Sequence, residues 1–299
     1  MNWKNYIQGF RTFLQLERSL SLNSIEAYER DVKKLTQFLE FNNILKSPNK
    51  LTTNDIRDFM QWIASLGLSA SSQSRILSGI KAFYKYLILE EKLKKDPTEL
   101  VEAPKIGKKL PDILSKTEII DLIESVDLSH PQGERNRAML EVLYGCGLRV
   151  SELVNLKLSD WHRNEGFIRV IGKGNKERLA PIGGIAEKHL NTYIKKIRSH
   201  QNKVKGYEDF IFLNRNGRQL SRVMVFYIIK ELVKKINLQK KISPHTFRHS
   251  FATHLIDGGA DLRAVQEMLG HESITTTEIY THLDRDYLRD AIITFHPRS

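Results

Sequence analysis

The sequence predicts a mainly α-helical protein of two domains, the second of which contains a small antiparallel sheet. Three observations lead to this prediction. The chain has 299 residues, and a single small hydrophobic core rarely supports a chain of this length. Apolar residues recur with a helical period through the first part of the chain. The patterns typical of strands are confined to a few short segments in the second part.

The predicted boundaries place a helical domain at residues 1–102, a linker at 103–111 and a mixed, mostly helical domain at 112–299. The linker reads APKIGKKLP, and its prolines, glycine and lysines are typical of an extended, exposed segment. Its basic side chains would lie either in solvent or along a phosphate backbone. These linker lysines are Lys105, Lys108 and Lys109.

The first domain is predicted to be a bundle of four amphipathic helices. The second helix would begin after Asn23 or Ser24, and the third would follow Thr52–Thr53 and stop at Gly67. The fourth would follow the serine-rich stretch Ser69–Ser74. The expected core positions are Tyr6, Phe10, Phe13, Leu14, Tyr28, Val32, Leu35, Phe38, Leu39, Ile56, Phe59, Met60, Ile63, Ile76, Ile80, Phe83, Tyr84 and Leu87.

Helices are also predicted to dominate the second domain. Ser115 begins a Ser-Lys-Thr-Glu sequence that fits a capping box. A buried helix is expected over Arg137–Tyr144, closed by the glycines that follow it. A later helix would be capped by Ser243, with proline in its first turn, and the helical pattern continues to Thr294.

The small sheet is predicted from two strands, Gly166–Ile171 and Arg178–Ile182, on either side of a turn at residues 172–176. Phe210–Leu213 is predicted as a third short strand. The turn contains glycine and lysine but lacks the spacing of a phosphate-binding P-loop.

The composition indicates which kinds of binding partner and which cellular compartment suit the protein. A net charge of +12 and a pI of about 9.6 favour a polyanionic partner, and nucleic acid is the commonest one in cells. The single cysteine, Cys146, excludes a disulfide scaffold and a cysteine-based zinc or iron–sulfur site. The sequence shows no membrane-spanning apolar run and no signal peptide, so we expect a reduced, cytoplasmic protein.

The segment SPHTFRHSFATH, residues 243–254, is the densest cluster of chemically active side chains. On a helix, His245 would share a face with Arg248 and His249. A metalloprotease-type zinc helix needs a glutamate after its first histidine, and Thr246 stands there. Two alternatives stay open: structural histidines, or an anion site near the start of the helix.

Each of the other candidate positions has an ordinary structural explanation when it is taken alone. Arg149 could bind an oxyanion at a helix start or pair with Glu152 on the surface. Lys173 could be a solvated turn residue, His271 could follow a helix C-cap, and Tyr280 could be a core residue. As one set, the two arginines, the lysine, the histidines and the tyrosine suit phosphoryl transfer through a covalent tyrosine ester.

Four blocks of the sequence resemble a known family. They are GCGLRVSELVNL, the hairpin IGKGNKER, SPHTFRHSFATHLIDGGADLRAVQEMLGH and ITTTEIYTHL. These blocks look like the signatures of the tyrosine recombinases, the phage integrase family, and their order and spacing are most similar to the bacterial Xer enzymes. The resemblance covers essentially the whole chain. It implies that residues 1–102 clamp DNA and that residues 112–299 form the catalytic domain.

The resemblance implies a role for each matched position. Arg149 and Arg248 would bind the scissile phosphate, and Glu152 would orient neighbouring groups. Lys173 would protonate the departing 5′-hydroxyl, and His245 would assist proton transfer with the nucleophile.

The resemblance also implies that Tyr280 attacks phosphorus to give a 3′-phosphotyrosyl DNA, while His271 hydrogen-bonds a phosphate oxygen. Tyr287 is a rival nucleophile by residue type, although it lies outside the matched block. No metal and no cofactor are implied.

Further contacts are expected outside the catalytic centre. Polar residues of the fourth helix, Ser72, Gln73 and Arg75, would reach DNA, unless they belong to a solvated helix face. The apolar residues of the C-terminal tail would pack into a neighbouring subunit in a cyclic ring of four. These tail residues are Leu288, Ile292, Ile293 and Phe295.

The function implied by the resemblance is site-specific recombination through a Holliday junction, which would resolve chromosome dimers at cell division. The implied partners are double-stranded DNA with a dif-like site, a second, XerC-like recombinase in a heterotetramer, and a septal DNA translocase of FtsK type. The alternatives are a phage or transposon integrase, a type IB-like nicking and closing enzyme, and a DNA-binding architectural protein without catalysis.

Overall fold

The computed structural model describes residues 3–107, 112–172, 177–270 and 282–299, and for 282–286 it describes the backbone only. The chain divides into two compact units, Met1–Lys109 and Leu110–Ser299. The predicted mainly helical fold with one small antiparallel sheet is confirmed. No helix in the described ranges is long and apolar enough to cross a membrane.

The first unit contains the four predicted helices. They are α1 (Trp3–Leu16), α2 (Leu22–Phe41), α3 (Thr53–Ser65) and α4 (Ala70–Leu89). Most of the predicted core positions are buried, and the half-buried ones lie at the edge of the core. These half-buried positions are Tyr6, Phe13, Tyr28 and Met60.

Two predicted helix starts in this unit are wrong, and both errors come from serine. Helix α2 begins at Leu22, because Ser21 caps it by accepting a hydrogen bond from the Ser24 backbone N–H at 3.3 Å. Helix α4 begins at Ala70 after the cap Ser69, so most of the serine-rich stretch forms its first turns. Serine is favoured at a helix start because its hydroxyl oxygen satisfies an unpaired backbone N–H there.

The second unit is also mainly helical within the described residues. Its helices are α5 (Lys116–Glu124), α6 (Gly133–Gly145), α7 (Val150–Asn155), α8 (Gly184–Thr192), α9 (Arg222–Lys235), α10 (Pro244–Gly258), α11 (Leu262–Leu269) and α12 (His282–Phe295). The predicted capping box is confirmed, because Ser115 and Glu118 each accept a hydrogen bond from the other's backbone N–H. Helix α6 is buried along most of its length, and α5, α7, α8 and α10 pack around it.

The sheet has three antiparallel strands in the order β1 (Trp161–His162), β2 (Phe167–Ile171) and β3 (Glu177–Pro181). The β2–β3 hairpin is confirmed, with Ile168 opposite Ala180.

The predicted strand at Phe210–Leu213 is wrong, since this segment forms only isolated bridges. The buried guanidinium of Arg198 donates to the carbonyls of Phe210 and Ile211, at 3.0 and 3.1 Å from its Nε. Those two carbonyls therefore accept hydrogen bonds from a side chain. The apolar residues 210–213 form a buried connecting segment instead of a strand.

The C-terminal tail packs against its own unit in this structure. Leu288 and Ile292 are fully buried, whereas Ile293 is exposed. Beyond α12, Arg298 grips the buried carboxylate of Glu141 in a bidentate ion pair, with N–O distances of 2.8 and 2.6 Å. The expected exchange of this tail between subunits stays a prediction.

Candidate active site

A glycine turn between α6 and α7 delivers the first candidate arginine. Gly147 has a φ of +56°, and a Cβ atom there would lie 2.5 Å from Cδ1 of Phe251. Only glycine fits this conformation at such a close approach. The turn places Arg149 at the N-cap of α7, where its backbone N–H donates to Oε2 of Glu152 at 2.7 Å.

The buried carboxylate of Glu152 lies at the centre of the site. It accepts a hydrogen bond from Nη1 of Arg149 at 2.8 Å and two from Arg178, both at 2.9 Å. Nη1 of Arg248 is 3.7 Å from Oε2 of the same group. Three guanidinium cations around one carboxylate leave a formal charge of +2 (3 − 1), which favours an anionic ligand.

The pKa of Glu152 lies below its usual value. Burial is the largest influence and by itself would raise this pKa. The hydrogen bonds and charge of Arg178, together with the hydrogen bonds from Arg149, outweigh burial and lower it. Glu152 is therefore ionised at neutral pH, and its carboxylate holds the arginines in place.

Arg248, from α10, is buried and connects three parts of the second unit. Its Nη1 donates to the carbonyl of Gly147 at 2.8 Å, and its Nη2 donates to the carbonyl of Leu269 at the end of α11. Burial, followed by the nearby charges of Arg149 and Arg178, lowers the pKa of Arg248 to about 10. The side chain is therefore a cation at neutral pH, held in a fixed position.

His245 lies one turn before Arg248 on the same helix and is exposed, as is His249. The expected shared face is thus divided, with the arginine buried and the histidines at the surface. The described residues contain no group of three or more histidine, cysteine or acidic side chains that could hold a metal ion.

Three predicted site residues, Lys173, His271 and Tyr280, lie outside the described residues. The elements next to Lys173 and His271 along the chain contribute to the arginine cluster around Glu152. Strand β3, which follows the segment of Lys173, carries Arg178, and α11, which precedes His271, supplies the carbonyl that binds Arg248.

Arg178 is a site residue that the sequence analysis missed. It was assigned only to a strand, yet it is 5% exposed and grips Glu152 with both terminal nitrogens. The strand pattern could have indicated that Arg178 is buried. Arg178 and Ala180 are two positions apart, so they lie on the same face of β3, and both face the core. A charged residue at an inward-facing strand position requires a buried partner of opposite charge.

Tyr287 lies at the far end of α11 from the arginines. Its hydroxyl lies close enough to Asp261, the N-cap of this helix, for the two groups to interact. Arg178 and Arg248 instead bind carbonyl groups at the C-terminal end, those of Met268 and Leu269. A helix of 8 residues spans about 12 Å. In this structure Tyr287 therefore lies away from the arginine cluster.

The DNA-contact candidates in the first unit make local contacts. Arg75 forms a bidentate ion pair with the buried Asp31, at 2.7 and 2.6 Å. The amide of Gln73 donates to the carbonyl of Leu68 at 2.7 Å, and Ser72 takes part in the cap of α4. The side chain of Arg75 is still 52% exposed, and among the linker lysines Lys105 is exposed. Lys108 and Lys109 lie outside the described residues.

Two family profiles match the chain. Residues 112–286 match the phage integrase family, and residues 7–91 match the phage integrase N-terminal SAM-like domain. Together they span both units of the structure.

Curated relatives match over nearly the full length. Tyrosine recombinase XerD of Listeria monocytogenes serotype 4b (strain F2365) is 44% identical over 293 residues, covering 98% of this chain and 99% of the relative. Tyrosine recombinase XerD of Staphylococcus aureus (strain Mu50 / ATCC 700699) is 43% identical over 293 residues with the same coverage.

A solved structure shares the fold. The XerH site-specific recombinase bound to its palindromic difH substrate, a post-cleavage complex, has a TM-score of 0.70 at 24% identity. The match covers 95% of this chain and 83% of that chain. With two family profiles that span most of the chain and relatives of more than 40% identity along almost all of it, the chain belongs to the phage integrase family of tyrosine recombinases and is a site-specific DNA recombinase.

Proposed function

We propose that this recombinase cleaves and rejoins DNA through a 3′-phosphotyrosyl intermediate on Tyr280 and a Holliday junction. Arg149 and Arg248 bind the scissile phosphate. Lys173 and His245 move protons, and His271 donates a hydrogen bond to a phosphate oxygen. Glu152 orients the arginines.

The observation that carries this proposal is the convergence of Arg149 and Arg248 on Glu152. Their Nη1 atoms lie 2.8 and 3.7 Å from its two carboxylate oxygens. Guanidinium groups bind phosphate oxygens with matched geometry and stabilise the charge of a pentacoordinate transition state. Arg149 is 34% exposed, so a ligand can reach it.

In the proposed first step, the phenolic oxygen of Tyr280 attacks phosphorus while its proton passes to His245. The bond between phosphorus and the 5′-oxygen breaks, and that oxygen takes a proton from Lys173. Rejoining reverses these steps with the 5′-hydroxyl of the partner strand. One phosphodiester replaces another, so the exchange needs no external energy source.

We further propose that the enzyme acts with a second, XerC-like recombinase at a dif-like site, under an FtsK-like translocase, to resolve chromosome dimers. The support is the likeness to relatives named XerD over nearly the full chain. Arg75 and Lys105, which are exposed, are the described candidates for further DNA contacts.

The test uses a duplex with a candidate dif-like site and a nick beside the expected cleavage position. Cleavage releases a short oligonucleotide from the nicked strand and thereby traps the covalent adduct, which is detected on a denaturing gel without divalent metal. We expect an adduct with the wild-type protein and with Tyr287→Phe, and none with Tyr280→Phe. An adduct that survives Tyr280→Phe would place the nucleophile elsewhere.

A second comparison separates catalysis from binding. The wild-type protein is incubated with the same duplex and a scrambled one, with and without the second Xer-type recombinase of the same genome. Binding of the site without any adduct in either mixture would contradict the proposed reaction and leave a DNA-binding protein.

A further inference from the structure

Arg178 makes three directional contacts inside the site. Its two terminal nitrogens each donate to a different oxygen of Glu152, at 2.9 Å. Its Nε donates to the carbonyl of Met268 near the end of α11, at 2.8 Å. This single side chain therefore connects β3, α7 and α11.

The space around Arg178 is closely filled. Gly270, at the end of α11, has a φ of +63°, and a Cβ there would lie 2.9 Å from Cδ of Arg178. The guanidinium is thus held from two sides, by the carboxylate of Glu152 and by the backbone at the end of α11. Arg178 is only 5% exposed, and each of its three guanidinium nitrogens already donates a hydrogen bond inside the site.

The number of hydrogen bonds that the Glu152 carboxylate can accept indicates what the contacts of Arg178 do. A carboxylate has two oxygens with about four acceptor positions. Arg178 uses one position on each oxygen, and the backbone N–H of Arg149 uses another on Oε2. With these positions taken, the side chain of Arg149 bonds Oε1 only and Arg248 stays 3.7 Å away. Without Arg178, Glu152 would be open to a bidentate pair with Arg149, which would compete with phosphate for that guanidinium.

We propose that Arg178 is a positioning residue for recombination, whose bidentate hold on Glu152 keeps Arg149 available for the scissile phosphate. This inference rests on the proposed function, in which Arg149 binds that phosphate. Arg178 acts through Glu152 and does not touch the DNA.

The test is the rate of covalent-adduct formation in a single turnover by Arg178→Lys. Lysine keeps the positive charge but loses the planar fork, so it cannot hold both oxygens of Glu152 and the carbonyl of Met268 together. We expect adduct formation to slow about 10- to 100-fold while the dissociation constant for the nicked duplex stays unchanged.

Arg169→Lys is the matched control. Arg169 lies on the neighbouring strand β2 and also grips a buried carboxylate, that of Asp160, at 2.8 and 3.1 Å. Its contacts lie outside the Glu152 cluster. The control variant should form the adduct at the wild-type rate.

A second substrate distinguishes positioning from loss of fold. Replacing the scissile phosphate by a methylphosphonate removes its negative charge, so the reaction depends less on Arg149. If Arg178 acts through Arg149, the defect of Arg178→Lys should shrink at least several-fold on this substrate. An equal defect on both substrates would overturn the proposal and leave Arg178 a structural role.

Measurements on the wild-type protein distinguish failure of the positioning role from failure of the proposed function. A wild-type adduct combined with an unchanged rate in Arg178→Lys would contradict the positioning role alone. Failure of the wild-type protein to form any adduct would contradict the proposed function itself.

Discussion

At the scale of single residues, the site depends on a buried carboxylate that would be unstable without its arginine partners. Glu152 is only 6% exposed, and Arg149, Arg178 and Arg248 surround it. Removing one partner of a buried ion pair typically costs about 3–5 kcal/mol, because the other charge remains buried. The same contacts that stabilise the second unit therefore also align the arginines that we propose bind the phosphate.

Replacing Gly147 by alanine should destabilise the second unit. Its φ of +56° strains any side chain, and the new Cβ would press on Phe251 at 2.5 Å. We expect a loss of about 2–4 kcal/mol in the free energy of unfolding, measured by urea denaturation. Gly206→Ala is the control, because that glycine also has a positive φ, +90°, but a Cβ there meets nothing within 4 Å. An equal loss in both variants would show that the contact with Phe251 adds no strain.

At the scale of elements, an ion pair and a buried histidine join the buried Leu288 and Ile292 in holding helix α12 and the residues after it. Arg298 pairs with Glu141 of α6, and His296 lies between Tyr144 of α6 and Phe251 of α10, with ring centroids 4.7 and 5.5 Å away. Nε2 of His296 is buried and has no hydrogen-bond partner among the described residues. The residues after α12 are therefore packed through the side chain of His296, which is stable in this buried position only in its neutral form.

The docking of His296 predicts a dependence of stability on pH. Burial, and then the charges of His254 and Arg298, lower the pKa of His296 to about 3. In the unfolded chain this group titrates at about 6.5, so its stabilising contribution is complete above that pH and is lost as the pH falls toward 3. The loss amounts to about 1.4 kcal/mol per pH unit.

Urea denaturation at pH 7.5 and pH 5 measures this effect. The wild-type protein should lose more stability between the two values than His296→Phe, which fills the same space without a titrating group. Part of the slope should remain in the variant, because burial also lowers the pKa of His254. Identical slopes in both proteins would contradict the assignment to His296.

At the scale of the whole molecule, each unit has its own hydrophobic core. The core of the first unit is built from α1–α4 and closes with Val101, which is 4% exposed, while the second core begins at Leu114. Thr98, with no exposed surface, also lies in the first unit. A separate core is what allows a unit to fold by itself.

The fragment of residues 1–102 should therefore fold alone into a helical domain with a cooperative thermal transition. A fragment that ends at residue 96 lacks Thr98 and Val101 and should melt at a lower temperature, since it leaves apolar surface of the core exposed. Circular dichroism during heating measures both. A non-cooperative melt of the longer fragment would show that it needs the rest of the chain.

The sequence by itself determined the features that depend on near neighbours in the chain. Apolar periodicity predicted the four helices of the first unit, and a three-residue spacing predicted the capping box of Ser115 and Glu118. The antiparallel pairing of β2 and β3 agrees with the two predicted strand segments. Four blocks of the sequence resemble signatures of the family, and the matches over nearly the whole chain confirm the membership.

Only the tertiary structure decided which groups the buried charged side chains bind, because those partners are distant in sequence. Arg178 meets Glu152 across 26 positions, and Arg248 meets Gly147 across 101, so no local pattern specifies either pair. Arg198 likewise binds the carbonyls of Phe210 and Ile211, 12 and 13 positions away. A buried charge must find a partner of opposite charge or a backbone carbonyl, and the fold alone determines which one lies within reach.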